Sequence, residues 1–268
     1  MKLSLGFSPC PNDTFIFDAL VNGKIDTGDF QFEPVLEDVQ TLNRWALEKR
    51  LDLSKISYGV WPLIQKNYQL LDAGGALGRG VGPLLIAREN IPVSKVNELR
   101  VAIPGRETTA HMLFSLAFPN AVNKEFMLFS DIEHAVLDGR VDCGVIIHEN
   151  RFTYMKRGLV RLMDLGEFWE EKTQAPIPLG GIVLRNNWDG ETATRINELI
   201  RKSVMYSQAN YPQLSDYVKQ HAQEMDEAIM RQHIDLYVNH FSLGLGKEGK
   251  KAVDTLLAVY NTMQLQQV

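Results

Sequence analysis

LSLGFSPCPNDTFIFDALVNG, residues 3–23, is the stretch on which the fold turns. Its first apolar residues alternate, Leu3, Leu5 and Phe7, which is the period of a strand with one better-buried face. The spacing then becomes helical, with Phe15, Ile16, Ala19 and Leu20 gathered on one side. Asn12 and Asp13 are candidate caps at the start of that helix, and Asn22-Gly23 ends it with residues that tolerate left-handed backbone. The chain therefore opens on a strand, a proline-stiffened loop and a helix.

Working outward, the same unit recurs. A strand over 30–36 is followed by a helix over 38–48 with Val39, Leu42, Trp45 and Ala46 on one face, a strand over 51–57 and a short helix through Val60, Leu63 and Ile64. Such alternation predicts a mainly parallel sheet. The glycine-rich run 73–83 interrupts it and is read as the approach to a first crossing between lobes, ahead of a strand over 84–87. The alternation then restarts: strand 100–103, helix 108–117, strand 126–129, helix 131–138, and strands 142–147 and 160–164. Ser130 and Glu133 have capping-box spacing at the second of these helices. A strand over 181–184 is the candidate return crossing, after which helices near 191–208, 213–221, 225–239 and 248–263 are expected to pack back on the first lobe. The reading is an α/β protein of two lobes with a cleft between them: 1–96 as the first part of lobe one, 97–186 as lobe two, and 187–268 as a mainly helical return to lobe one.

Composition narrows the function. With 28 basic and 33 acidic residues the net charge is -5, and no long single-sign run appears, which argues against a nucleic-acid partner. No window approaches the ~20 consecutive apolar residues of a membrane span, and the apolar start is too short for a signal peptide, so a cytoplasmic protein is expected. Cys10 and Cys143 have neither CxxC spacing nor a histidine beside them in sequence, which argues against zinc and against a disulfide framework. The run Gly78-Arg79-Gly80-Val81-Gly82 precedes a strand instead of joining strand to helix, and no phosphate loop, HExxH or GxSxG motif occurs. Neither cofactor nor metal is expected; the expected partner is a small anionic molecule. The sequence leaves the oligomeric state open, a homodimer included.

Ligands in parallel sheets collect at the carboxyl ends of strands, where helix starts offer free N–H groups. Ser8 to Thr14 is one such loop, in which Ser8, Asn12 and Thr14 carry polar groups; a rigid helix cap is the competing reading. Lys55, Ile56 and Ser57 close the third strand, where a lysine and a hydroxyl can hold an anion. Thr108, Thr109 and Ala110 open a helix after Pro104-Gly105, making a plausible carboxylate seat, unless Thr108 merely caps the helix. His148 ends the buried-looking run 143–147 and should face the cleft, where an imidazole of ordinary pKa ~6.5 exchanges protons near neutrality. His111 and His134 lie inside predicted helices, and His221, His233 and His240 lie in the helical tail, so all five are read as surface or packing residues.

At these loops the sequence resembles the 1,4-dihydroxy-6-naphthoate synthases of the futalosine route to menaquinone. The resemblance is carried by GFSPCPNDTFIFDAL (6–20), EPVLEDVQTLNRWALE (33–48), GGALGRGVGPL (74–84), PGRETTA (104–110), GVIIHENRFTY (144–154) and YVNHFSL (237–243). It implies a periplasmic-binding-protein-like fold of the two-crossing type II, recruited as a cofactor-free lyase. The implied reaction converts cyclic dehypoxanthinyl futalosine to 1,4-dihydroxy-6-naphthoate with release of a three-carbon fragment. By the same resemblance His148 is the general base, while Lys55, Ile56 and Ser57 in one lobe and Thr108, Thr109 and Ala110 in the other hold the substrate. The rival readings are chorismate dehydratase of the same route, a non-catalytic anion-binding protein, and the effector domain of a regulator.

Overall fold

The structure, a computed structural model, describes residues 1–223 and 225–265. Its apolar residues form two sheets. The first holds β1 (Lys2–Phe7), β2 (Gln31–Leu36), β3 (Leu53–Ser57), β4 (Tyr68–Leu70), β5 (Ala76–Gly78) and β11 (Ile177–Arg185), in the order β2-β1-β3-β11-β4 with β5 also on β11. The second, five-stranded, sheet holds β6 (Leu84–Ala87), β7 (Val101–Ile103), β8 (Lys124–Phe126), β9 (Cys143–Ile146) and β10 (Val160–Asp164), in the order β10-β6-β9-β7-β8.

The opening stretch folds as its pattern requires. Leu3, Leu5 and Phe7 are fully buried, and the helix Pro11–Val21 packs beneath them, with the Phe7 and Phe17 rings stacked 4.6 Å apart. The helix cap differs from the expectation: Cys10 occupies the cap position with no side-chain bond, and Pro11 stands at the first helical position, where a missing N–H costs nothing. Asn12 and Asp13 are thereby released for other partners.

Neither sheet is mainly parallel. The pairs β1–β2, β1–β3, β7–β8 and β7–β9 are parallel, but β11 runs antiparallel to β3, β4 and β5, and β6 runs antiparallel to β9 and β10. The antiparallel members are the strands that carry the chain across: β6 enters the second sheet after β5, and β11 returns to the first after β10. The sheets consequently change hands earlier than the boundaries 96/97 and 186/187 drawn from sequence, since 84–87 already belongs to the second sheet and 177–185 to the first.

The helical tail packs back on the first sheet. Helix Gly190–Asn210 lies along helix Pro11–Val21, where the Ser203 hydroxyl donates to Ile16 O at 2.6 Å and Ser207 donates to Phe15 O at 2.7 Å. These bonds satisfy buried hydroxyls inside an apolar interface that includes Ile16, Leu20, Ile196, Ile200 and Val204. A larger core runs from the first sheet into the second through Ile56, Tyr58, Val101, Leu113, Trp169 and Val183. Among the described residues no helix is long and apolar enough to cross a membrane.

Candidate active site between the two sheets

The carboxyl ends of β1 and β3 face those of β7 and β9, and a cleft of ≈ 680 Å³, mouth included, lies between them. Asn12, Lys55, Ile56, Ser57, Thr108, Thr109, Ala110 and His148 all line it. The sheets touch closely around its rim. A Cβ on Gly59 would come within 2.5 Å of the Thr108 backbone, so only glycine admits this approach. Gly59 N donates to Thr109 Oγ1 at 3.0 Å, and Thr109 Oγ1 donates in turn to Leu179 O at 3.0 Å. Gln40 and Glu107 bond across the same edge through their side chains.

These bonds change how the threonines can act. Thr108 Oγ1 donates to Gly105 O at 2.8 Å and accepts from His111 N at 3.1 Å, so it caps the helix Thr109–Ala117, as the plainer sequence reading allowed. With both hydroxyls engaged, what remains for an anion is the pair of N–H groups of Thr109 and Ala110. They open the helix and have no acceptor within it, and the helix dipole favours negative charge there.

Lys55 is likewise committed. Its ammonium pairs with Asp13 at 3.0 Å and donates to Gly74 O at 3.0 Å, and its side chain is 5% exposed. Asp13 is held in place by Ser8 N and Oγ on one oxygen and by Asn12 Nδ2 on the other. The pair fixes the loop after β1 against the end of β3 and supplies no free positive charge. Ser57, 5% exposed, gives its N–H to Asn43 Oδ1 at 2.9 Å and keeps its hydroxyl at the cleft wall beside Ile56.

His148 follows β9 after one residue and adopts left-handed backbone, φ 56°, which turns its ring into the cleft. Such a conformation is uncommon for a residue with a Cβ, and strain of this kind gathers at functional positions. Its ring packs on Phe129 at 4.7 Å and lies parallel to His233 at 6.1 Å, with Nδ1 3.5 Å from Cys10 Sγ. Burial holds its pKa below the ordinary 6.5, against the opposing pull of Glu149, Asp13 and Asp38, so the neutral, proton-accepting form prevails at neutral pH.

His233 was read from sequence as a surface or packing residue; in the structure it is 1% exposed and lines the cleft. Asn12 turns its amide nitrogen to Asp13, which leaves Oδ1 to accept from His233 Nε2 at 2.9 Å. That fixes the proton on Nε2, and Nδ1 then presents a lone pair to Glu149 Oε2, 3.5 Å away. Burial lowers the pKa of His233 well below 6.5, with the neighbouring His148 adding to the shift. The available signal was the stripe Ile229, Met230, His233, Ile234 and Tyr237 on one helix face, where a lone imidazole needs a partner. Cys10 and His148, separated by 138 positions, also meet, which removes the sequence argument that no histidine accompanies the cysteine. Burial, reinforced by Glu149, raises the Cys10 thiol well above its ordinary pKa.

Fold and site together define an enzyme-like member of the periplasmic-binding-protein-like class: two sheets joined by two crossings, a helical return, and an imidazole and helix N–H groups that leave neighbouring strands of the second sheet to line one cleft. A crystal structure of a protein from Archaeoglobus fulgidus matches this fold with a TM-score of 0.93 at 31% identity over 98% of each chain. The periplasmic aliphatic sulphonate binding protein SsuA of Escherichia coli matches 98% of this chain and 93% of its own at a TM-score of 0.70, and its 11% identity speaks for the fold alone. A family model described as menaquinone biosynthesis matches residues 3–262. Two curated relatives carry the name 1,4-dihydroxy-6-naphtoate synthase. One, from Thermus thermophilus, is 49% identical over 256 residues, 96% of this chain and 93% of its own. The other, from Streptomyces coelicolor, is 42% identical over 260 residues, 95% of this chain and 91% of its own. The chain belongs to the menaquinone biosynthesis family and is an enzyme of that biosynthesis.

Proposed function

We propose that the protein is a cofactor-free lyase that converts cyclic dehypoxanthinyl futalosine to 1,4-dihydroxy-6-naphthoate and a three-carbon fragment, with His148 as the general base. The carrying observation is that the imidazole of His148 and the N–H groups of Thr109 and Ala110 line one cleft from loops that leave the neighbouring strands β9 and β7, with Ser57 and Ile56 of the first sheet on the same cleft. The substrate carboxylate sits on those N–H groups, with Ser57 and Ile56 bounding it from the first sheet. His148 takes the initiating proton from carbon, and cleavage follows because the product gains an aromatic ring. A positioned base contributes about 10²–10⁴-fold, and orientation in a closed cleft adds to it. Lys55, Asp13 and Asn12 act by fixing the loop after β1 and, through His233, the tail helix behind His148.

The working partner is a small-molecule carboxylate, with no role for nucleic acid or membrane, and the compartment is the cytoplasm. The two lobes correspond to the two sheets and move as the halves of the cleft. Incubating the purified protein with cyclic dehypoxanthinyl futalosine should give the naphthoate absorbance, whereas chorismate should remain unchanged. Turnover of chorismate without naphthoate formation would replace this reading with the dehydratase.

A further inference from the structure

Beside the cleft-lining His148 lie two further buried groups, Cys10 and Glu149. We propose that Cys10, His148 and Glu149 form a binding site for a thiophilic divalent cation, best matched by zinc, and that its occupation shuts off the base. One ligand atom from each, Sγ, Nδ1 and a carboxylate oxygen, lies within 4.8 Å of the others, and the Sγ to Nδ1 distance is 3.5 Å. Tetrahedral zinc with bonds of about 2.0–2.3 Å sets its ligands roughly 3.3–3.8 Å apart, so small side-chain movements close the site. Three protein ligands leave a fourth position for water on the side where His148 meets the cleft.

An independent observation points the same way. Glu149 is 4% exposed and neither of its carboxylate oxygens has a hydrogen-bond partner among the described residues. His233 Nδ1, 3.5 Å away, offers a lone pair because its other nitrogen gives its proton to Asn12. A buried carboxylate without a partner is costly, and a cation would supply one. The ammonium of Lys55 is spent on Asp13. Thiol, imidazole and carboxylate together select zinc or cobalt over magnesium or calcium, which favour oxygen-only sites.

The proton balance is simple. Cation binding forms the sulfur–metal bond and breaks the Cys10 S–H bond, releasing that proton to solvent. His148 gives its single basic lone pair at Nδ1, which leaves Nε2 protonated and the ring unable to accept a proton from substrate. The inhibitory half of the proposal rests on His148 being the base; the binding half does not.

Cobalt(II) titration of chelator-treated protein tests the binding half. One equivalent should produce a thiolate-to-cobalt charge-transfer band in the near ultraviolet, displaced by zinc and untouched by magnesium. Cys10→Ser should lose the band, and Glu149→Gln should weaken zinc binding by at least about tenfold, a clear step in dissociation constant. Circular dichroism verifies that each variant is folded, and Glu149→Gln carries the test if Cys10→Ser is not. No band, or a band that survives Cys10→Ser and therefore comes from Cys143, would overturn the site. Zinc should also abolish naphthoate formation, with recovery on adding EDTA; full turnover with zinc bound would overturn the inhibitory half. Absence of turnover in metal-free protein that still gives the band when titrated with cobalt would instead count against the proposed function alone.

Discussion

The central residue, His148, is held in left-handed backbone with its ring against those of Phe129 and His233, and burial lowers its affinity for protons. The sign of the consequence follows directly. A base works only unprotonated, so kcat/KM should rise with pH through a value below 6.5 and be level across neutrality; a limb still rising above pH 7 would contradict the assignment. Asp13 and Lys55 make a different prediction. Asp13→Asn strands a buried ammonium and should cost about 3–5 kcal/mol in urea unfolding, with part recovered when Lys55→Met is added. His148 was legible because a histidine closing the apolar run 143–147 must emerge at a strand end. His233 was not, because its bond to Asn12 spans 221 positions and local spacing carries no trace of it.

At the scale of elements, the helix Thr109–Ala117 ties fold to function. Its cap, Thr108, was visible in sequence, yet the side chain's commitment to Gly105 O and His111 N emerges only with the loop in place. Thr108→Val should therefore cost about 1 kcal/mol in stability, the ordinary worth of such a cap. It should leave substrate binding within a few fold, measured by calorimetry, because the N–H groups of Thr109 and Ala110 stay where they are. A hundredfold loss of binding with unchanged stability would show that the hydroxyl itself holds the ligand. Other elements were hidden for physical reasons. Strands β4 and β5 are each three residues long, and β5 lies in a glycine-rich run that reads as loop until β11 pairs with it. The Ser130-Glu133 capping box does not form: a 3-10 turn over Phe129–Asp131 precedes the helix Ile132–Leu137, and Glu133 is turned inward to Asn150 at 2.6 Å and Arg157 at 3.1 Å. Helix Leu165–Thr173, capped by Asp164 on Gly166 N and Glu167 N, was missed because its apolar face is short.

In the molecule as a whole, the sequence periods placed the strands and helices that flank the cleft, and the family likeness gave the two-crossing plan. The direction of the crossing strands β6 and β11 was beyond local patterning, since each is set by pairing with strands far along the chain, β6 with β9 and β11 with β3. That exchange brings the loops after β1, β3, β7 and β9 to one cleft, which sets an imidazole from one sheet against a polar wall built by both. The most direct test is the single-turnover rate of His148→Ala on cyclic dehypoxanthinyl futalosine, with substrate affinity measured alongside. The account predicts a rate at least about a hundredfold lower with binding retained, the loss of a positioned base. A rate near that of the unaltered protein would contradict it.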